Sequence, residues 1–155
     1  MTKQTIIVLG SAGNLGMYFV DHLMKNLDRD NDGKYVQLDI TNKNDFDKLP
    51  QENVKAVIDF AGILPAYLKN DNPNIYIDVN IKGTLNVLEY CRKVSAERIV
   101  YTQTWADLNG YLKDKKPLEP YWLRKPIFTG DHAVYTVTKN AAVDLIECYH
   151  QMYGI

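Results

Sequence analysis

Cysteine, net charge and long apolar runs are all scarce in this 155-residue sequence. Its two cysteines, Cys91 and Cys148, lack metal-ligand spacing, so we interpret both as reduced thiols in helical segments. The 18 basic and 19 acidic residues give a net charge of −1, which offers no electrostatic reason to expect nucleic acid or an anionic membrane as a partner. No apolar run reaches the roughly 18 residues of a membrane-spanning helix, and residues 1–10 are typical of a strand rather than a signal peptide, so we expect a cytoplasmic location.

The composition that is present, 46% hydrophobic and 24% charged residues, is typical of one globular domain. The predicted strands are Thr5–Leu9, Tyr35–Asp39, Val54–Phe60 and Arg98–Thr102, the predicted helices are Leu15–Leu27, Ile75–Val94 and Asp131–Tyr153, and residues 109–130 predict a loop. This alternation predicts an α/β fold, a doubly wound parallel sheet with helices on both faces. The carboxyl ends of its strands then share one edge, where sheets of this kind bind ligands.

Three glycines follow the first predicted strand and open the first helix. Gly10, Gly13 and Gly16 form the pattern G-x-x-G-x-x-G. Gly10 permits a tight turn, Gly13 lets a pyrophosphate approach the backbone at the positive end of the helix, and Gly16 allows close helix–strand packing. A plain strand-to-helix turn is the alternative, but the strand before and the helix after favour dinucleotide binding.

Tyr135 and Lys139 form a Y-x-x-x-K motif on the last predicted helix, where their spacing places both side chains on one face. A free phenol titrates near about pH 10, and a nearby ammonium together with an oxidised nicotinamide would lower that pKa. Thr104 follows the predicted strand RIVYT (98–102), at a position where a hydroxyl would orient a substrate oxygen. The motif alone is consistent with an exposed helical pair, but together with the glycine turn and Thr104 it indicates an acid–base site.

Five segments of the chain carry a resemblance to a known family: IIVLGSAGNLG (6–16), VIDFAG (57–62), DVNIKGTLNVLEYCRK (78–93), IVYTQT (99–104) and YTVTKNAAVDLI (135–146). In these segments the sequence resembles the extended short-chain dehydrogenase/reductases of the NAD-dependent epimerase/dehydratase kind. The resemblance implies a Rossmann-type sheet, NAD or NADP as cofactor, and a homodimer formed through a four-helix bundle. It also implies hydride transfer between a substrate, often a nucleotide-linked sugar, and the nicotinamide, while Tyr135 moves the hydroxyl proton.

The resemblance also implies a role for each matching residue. Thr104, Tyr135 and Lys139 are the implied catalytic group. The implied cofactor residues are Gly10, Gly13, Asn14, Leu15 and Gly16 at the diphosphate, Ala61 and Gly62 on the adenosine and ribose side, Asn80 near the strand edge, Thr102 on the nicotinamide side, and Tyr135 with Lys139 at the reacting end.

Two departures from the family pattern change the expected function. The chain stops soon after the tyrosine helix, so we expect 1–155 to be a dinucleotide-binding Rossmann domain truncated at the C-terminus, without the substrate-binding domain and with little or no turnover. The segment after the first helix is also short, with one predicted strand, Tyr35–Asp39, and the resemblance implies that Asp39 and Ile40 at its end contact the cofactor. Asp39 is then either the acid that contacts adenine, which we favour, or the acid that holds the ribose 2′-hydroxyl, 23 residues after Gly16. NAD is preferred over NADP because no arginine lies in the glycine turn or directly after this strand.

An acidic segment offers a competing interpretation. Asp28, Asp30 and Asp32 with Gly33 follow D-x-D-x-D-G, and Asp39 falls at the twelfth position, so the segment meets much of the calcium-loop template. A solvated turn is favoured, because no helical pattern follows.

Three functional hypotheses follow from the sequence. The leading one is an NAD(P)-dependent oxidoreductase or epimerase, the second is a non-catalytic dinucleotide-binding protein on the same fold, and the third is a calcium-binding protein. A homodimer is expected because Leu85, Leu88, Ala142, Leu145 and Ile146 extend the apolar faces of two helices.

Overall fold

The computed structural model describes residues 4–26, 33–65, 72–119 and 121–155. Along these residues the elements are β1 (Thr5–Leu9), α1 (Asn14–Asn26), β2 (Val54–Asp59), α2 (Pro73–Tyr76), α3 (Thr84–Lys93), β3 (Arg98–Tyr101) and α4 (Ala133–Tyr153). Two 3-10 helices cover Lys43–Lys48 and Trp105–Asp114, and a π-helical stretch, Ile77–Gly83, joins α2 to α3.

The three strands form one parallel sheet in the order β1-β2-β3, so β2 lies in the middle. Asp59, the last residue of β2, pairs in register with Leu9 of β1 and Tyr101 of β3. Gly10 follows β1 and Thr102 follows β3, so the chain leaves both outer strands at the same edge. The predicted α/β fold with a parallel sheet is confirmed.

The hydrophobic core lies between the sheet, α3 and the first 3-10 helix. Val57 of β2 is fully buried, and so are Val87 and Cys91 of α3. The ring of Phe46, from the 3-10 helix, lies with its centroid 5.5 Å from that of Tyr90. Burial of an aliphatic or aromatic side chain stabilises a fold by about 1.5–3 kcal/mol, so this layer holds the middle strand firmly in place.

The strand predicted at Tyr35–Asp39 is wrong, because the described residues of this segment form no strand. Val36 and Leu38 are half-buried against the core while their neighbours are exposed, which accounts for the alternating pattern in the sequence. The chain then turns at Asp39, whose Oδ1 accepts hydrogen bonds from the backbone N–H and the hydroxyl of Thr41. Alternation indicates which side chains are buried, whereas a strand also needs a paired backbone.

Helical structure departs from the prediction in two places. The loop predicted at 109–130 begins inside the second 3-10 helix, which ends before Lys115 in the left-handed region at φ 52°. The helix predicted at Ile75–Val94 is continuous but contains the π-helical stretch, and it begins after Asn72, whose side chain accepts the N–H of Asn74. Within the described parts of the chain, no helix is long and apolar enough to cross a membrane.

Candidate active site

The turn between β1 and α1 requires two of its three glycines on steric grounds. Gly10 has a φ of +70°, and a Cβ there would lie 2.8 Å from the backbone nitrogen of Ala61. A Cβ on Gly16 would lie 2.2 Å from the carbonyl oxygen of Gly10, so this position also excludes a side chain. A Cβ on Gly13 would meet that same oxygen at 3.3 Å and no other described atom within 4 Å. Gly13 is exposed, so its open side faces outward directly before Asn14, the first residue of α1.

Thr104 and Tyr135 line one cavity of about 480 Å³ beyond the end of β3. Thr104 precedes the second 3-10 helix, and its hydroxyl accepts a hydrogen bond from the N–H of Ala106 at 3.2 Å. Tyr135, in the first turn of α4, is 8% exposed. Its ring centroid lies 6.4 Å from that of Tyr76 and 6.2 Å from that of His132, which also lines the cavity. These contacts fix the plane of the phenol beside the hydroxyl of Thr104.

Lys139 lies one turn beyond Tyr135 on α4 and is 4% exposed. Its Nζ is 3.8 Å from the centroid of the Tyr101 ring, within the range of a cation–π contact. A Cβ on Gly62 would lie 4.0 Å from this Nζ and 3.5 Å from Oδ1 of Asn80. Because Gly62 has no side chain, the space next to both groups stays open. Gly62, Asn80 and Lys139, which the sequence analysis assigned to the cofactor site, thus lie close together.

The pKa values of Tyr135 and Lys139 move in opposite directions. Burial raises the pKa of Tyr135, and hydrogen bonding with Thr104 opposes the rise. Burial lowers the pKa of Lys139 to about 8, against the attraction of Asp59. Desolvation of the phenol sets the direction for Tyr135, and the Lys139 ammonium lies over the ring of Tyr101. At neutral pH the phenol is therefore protonated and the ammonium is charged.

A sequence model of the NAD-dependent epimerase/dehydratase family matches residues 6–155, which include the glycine turn, Thr104, Tyr135 and Lys139. The chain belongs to this family. The resemblance seen in the sequence is thereby confirmed.

Relatives of this epimerase/dehydratase chain act on chemically different substrates. UDP-glucuronate 4-epimerase of Thermodesulfobacterium geofontis is 29% identical over 140 residues, which cover 85% of this chain and 39% of the relative. The decarboxylating sterol-4-alpha-carboxylate 3-dehydrogenase of Saccharomyces cerevisiae is 24% identical over 165 residues, which cover 92% of this chain and 45% of the relative.

The fold is also found among solved structures. UDP-glucose 4-epimerase of Thermus thermophilus, in complex with NAD, matches this chain with a TM-score of 0.78 at 24% identity, over 97% of this chain and 52% of that chain. The 155-residue chain thus spans about half the length of several relatives that it matches.

The remaining predicted cofactor residues differ in burial. Asn14 and Leu15 are exposed at the start of α1, and Thr102 is half-buried after β3. Ile40 is buried, and its carbonyl oxygen accepts a hydrogen bond from Asn86 of α3 at 2.8 Å. Asp39 is exposed in the turn described above, where the hydrogen bonds to its Oδ1 are local.

Of the predicted calcium ligands, Asp28, Asp30 and Asp32 lie outside the described residues. Within the residues that are described, no three His, Cys, Asp or Glu side chains gather in a way that could hold a metal ion.

Sequence reasoning missed three residues that support the site. Asp59 and Tyr101 lie side by side at the ends of β2 and β3, below Lys139. Gln103 accepts the backbone N–H of Thr104 at 2.9 Å and donates to Asn140 of α4, also at 2.9 Å. The one visible signal is the acid in the apolar strand VKAVID, since a carboxylate is rarely buried without a specific reason.

Proposed function

We propose that residues 1–155 form a dinucleotide-binding Rossmann domain that binds NAD and presents Thr104, Tyr135 and Lys139 to a substrate alcohol or ketone. The observation that carries this proposal is the shared cavity of Thr104 and Tyr135, with Lys139 one helical turn away. Parallel α/β sheets bind ligands at the carboxyl ends of their strands, which is where this group lies. The reaction we propose is hydride transfer between a substrate carbon and the nicotinamide.

The glycine turn fits a dinucleotide diphosphate. The open side of Gly13 leaves room for a bulky anion, and the first N–H groups of α1 provide positive partial charge next to it. Gly62 leaves space for ribose hydroxyl groups in front of Lys139 and Asn80. We propose NAD rather than NADP, since the turn carries no arginine that would accept a 2′-phosphate.

Thr104 and Tyr135 divide the proton chemistry in this proposal. The hydroxyl of Thr104 orients the substrate oxygen, and the phenol of Tyr135 exchanges a proton with it. NAD, when bound, supplies the hydride acceptor and a positive charge that favours the phenolate. Lys139 adds its own positive charge and donates hydrogen bonds to the ribose, while Gln103 fixes the backbone of Thr104.

The substrate class that we propose is a nucleotide-linked sugar or a related carbonyl or hydroxyl compound. A cavity of about 480 Å³ is in the usual range for small-molecule sites. Trp105, Leu64 and Ile127 give it apolar walls, and His132 and Asn109 add polar groups suited to a ring with several hydroxyls. The relatives named above include enzymes of UDP-sugars and of a sterol acid, so the cavity lining, together with the UDP-sugar relatives, supports the sugar.

Calorimetric titration with NAD⁺, and separately with NADP⁺, tests the cofactor part. Tyr135→Phe is expected to bind NAD⁺ as the wild type does, and to lower by at least about 100-fold whatever slow reduction of NAD⁺ the wild type shows with UDP-glucuronate or another UDP-sugar. Formation of NADH is followed by its absorbance. Failure to bind either dinucleotide contradicts the proposal. Tight NAD⁺ binding with equal, background-level rates in both proteins favours the non-catalytic dinucleotide-binding alternative.

A further inference from the structure

Asp59 is a buried carboxylic acid at the carboxyl edge of the sheet. It ends the middle strand, pairs in register with Leu9 and Tyr101 on either side, and is 0% exposed. Its Oδ1 accepts the N–H of Ala61 at 2.9 Å. Its Oδ2 is buried and has no hydrogen-bond partner among the described residues. A buried carboxylate oxygen without a partner costs free energy, so its retention needs a compensating interaction.

Lys139 is a buried cation near the Tyr101 ring. It is a nearly fully buried cation that forms no ion pair within 4 Å and no hydrogen bond in the described part of the chain. Its Nζ lies over the Tyr101 ring, 3.8 Å from the ring centroid. Because Tyr101 is the register partner of Asp59, the buried carboxylate with its one unpartnered oxygen and the buried ammonium lie near the same phenol ring.

We propose that Asp59 is a positioning residue that acts through space as the counter-ion of Lys139 and keeps its ammonium charged over the ring of Tyr101. The functional consequence rests on the function proposed above, in which a charged Lys139 holds the cofactor ribose and favours the phenolate of Tyr135. Asp59 itself reaches neither cofactor nor substrate in this proposal, because it is fully buried.

The other titratable groups that face Asp59 are neutral at physiological pH, so Asp59 is the negative charge near Lys139. Cys91 faces it from α3, and burial raises the pKa of this thiol to about 12. Tyr101 faces it from β3, and burial raises its phenol pKa as well. Both groups are neutral at physiological pH. Burial raises the pKa of Asp59 to about 6 and lowers that of Lys139 to about 8, so carboxylate and ammonium are both charged in the interval between.

The test is a pH titration of the Lys139 side chain by NMR, on protein with isotope-labelled lysine and without dinucleotide. The Lys139→Met variant assigns the resonance. In the wild type we expect a main inflection near about 8 and a smaller one near about 6, where Asp59 titrates. In Asp59→Asn the smaller inflection disappears, and the main one moves down by roughly one pH unit.

Cys91→Ala is the matched control, because it disturbs the packing against Asp59 and removes no charge at neutral pH. It is expected to leave the pKa of Lys139 within about 0.3 units of the wild type. Equal shifts in Asp59→Asn and Cys91→Ala would show that packing, and not charge, is responsible, and would overturn the proposal. So would a wild-type titration without the lower inflection, a result that needs no variant to fold.

A parallel NAD⁺ titration separates this proposal from the function on which it rests. A shifted Lys139 pKa without NAD⁺ binding supports the counter-ion and contradicts the proposed function. NAD⁺ binding with an unshifted Lys139 pKa does the reverse. If both hold, we expect Asp59→Asn to lose NAD⁺ affinity several-fold between about pH 7 and pH 8.5, where its Lys139 becomes neutral before that of the wild type.

Discussion

Burial of the Asp59 carboxyl couples the stability of the fold to pH. Its pKa is raised from 3.8 to about 6, so the folded state binds this proton more tightly than the unfolded chain does. The resulting stability is fully present below about pH 4 and is lost as the pH rises through about 6. Relative to Asp59→Asn, the wild type is expected to lose up to about 3 kcal/mol of unfolding free energy between pH 4 and pH 7.

Urea unfolding of both proteins at a series of pH values measures this difference directly. The pKa values of Asp45 and Glu89 are lowered by hydrogen bonds from Lys48 and Arg92, and these effects cancel between the two proteins. A difference in unfolding free energy that stays constant from pH 4 to pH 7 would show that Asp59 has the same pKa in the folded and unfolded chain.

At the scale of elements, the turn before α1 contains two kinds of glycine. The fold requires Gly10 and Gly16 on steric grounds, whereas Gly13 would be required only by a bound ligand. Gly16→Ala places a methyl group 2.2 Å from a backbone oxygen, and we expect a loss of about 3 kcal/mol of unfolding free energy or more. Gly13→Ala meets the same oxygen at 3.3 Å, so we expect a change below about 1 kcal/mol but at least about a tenfold loss of NAD⁺ affinity.

Thermal unfolding and calorimetric NAD⁺ titration of the two variants measure these effects side by side. Unchanged NAD⁺ affinity in a folded Gly13→Ala protein would place the diphosphate elsewhere. A Gly16→Ala protein as stable as the wild type would show that the turn relaxes easily.

The side-chain amide of Asn80, in the π-helical stretch, hydrogen-bonds to two other segments of the chain. Asn80 donates to the hydroxyl of Thr138 on α4 at 3.2 Å, and its Oδ1 accepts the N–H of Ile63 at 3.2 Å. Asn80→Ala leaves both groups without this partner, and we expect a loss of about 2–3 kcal/mol in urea unfolding. Asn86→Ala, which removes a single side-chain hydrogen bond to Ile40, is the comparison and should cost about 1 kcal/mol. Equal costs in the two variants would mean that the hydrogen bonds of Asn80 contribute little.

Elements with a clear apolar period were predictable from the sequence, almost to the residue. Val54–Phe60 is observed as Val54–Asp59, and Arg98–Thr102 is observed as Arg98–Tyr101. The Tyr35–Asp39 strand failed because an alternating pattern also arises where an unpaired segment lies flat against a core.

The candidate site was predictable only in part, because a sequence motif relates residues that are near one another in the chain and does not indicate which distant residues pack together. Thr104, Tyr135 and Lys139 are found through the glycine turn and the Y-x-x-x-K pattern. The cluster of Asp59, Tyr101 and Lys139 joins three distant parts of the chain, and no local pattern indicates that strand register and helix packing bring them together.

At the scale of the whole molecule, two neighbouring helices leave apolar stripes exposed. The exposed residues of these stripes are Ile77 and Leu85 on the π-helical stretch and α3, and Val134, Val137, Cys148 and Met152 on α4; Ile81, Ala141 and Leu145 lie half-buried between them. Leu88 and Ala142, which the sequence also suggested for this face, are fully buried and belong to the interior. The two helices are held side by side by a hydrogen bond from Tyr149 to Glu89 and by Arg92 over the ring of Tyr153.

We expect these stripes to pair two chains, giving a particle of twice the 17.8 kDa chain mass in light scattering. Leu85 is 37% exposed and Val137 is 45% exposed, so a carboxylate at both positions is tolerated in the monomer but is buried in the dimer. The double variant Leu85→Asp/Val137→Asp is therefore expected to be monomeric, with at least about a 100-fold weaker self-association. Leu112→Asp, at a residue 51% exposed on the second 3-10 helix, adds a charge away from the stripes and should leave the dimer intact. A monomeric wild type, or a dimer that survives the double variant, would mean that the two stripes are not the surface through which the chains associate.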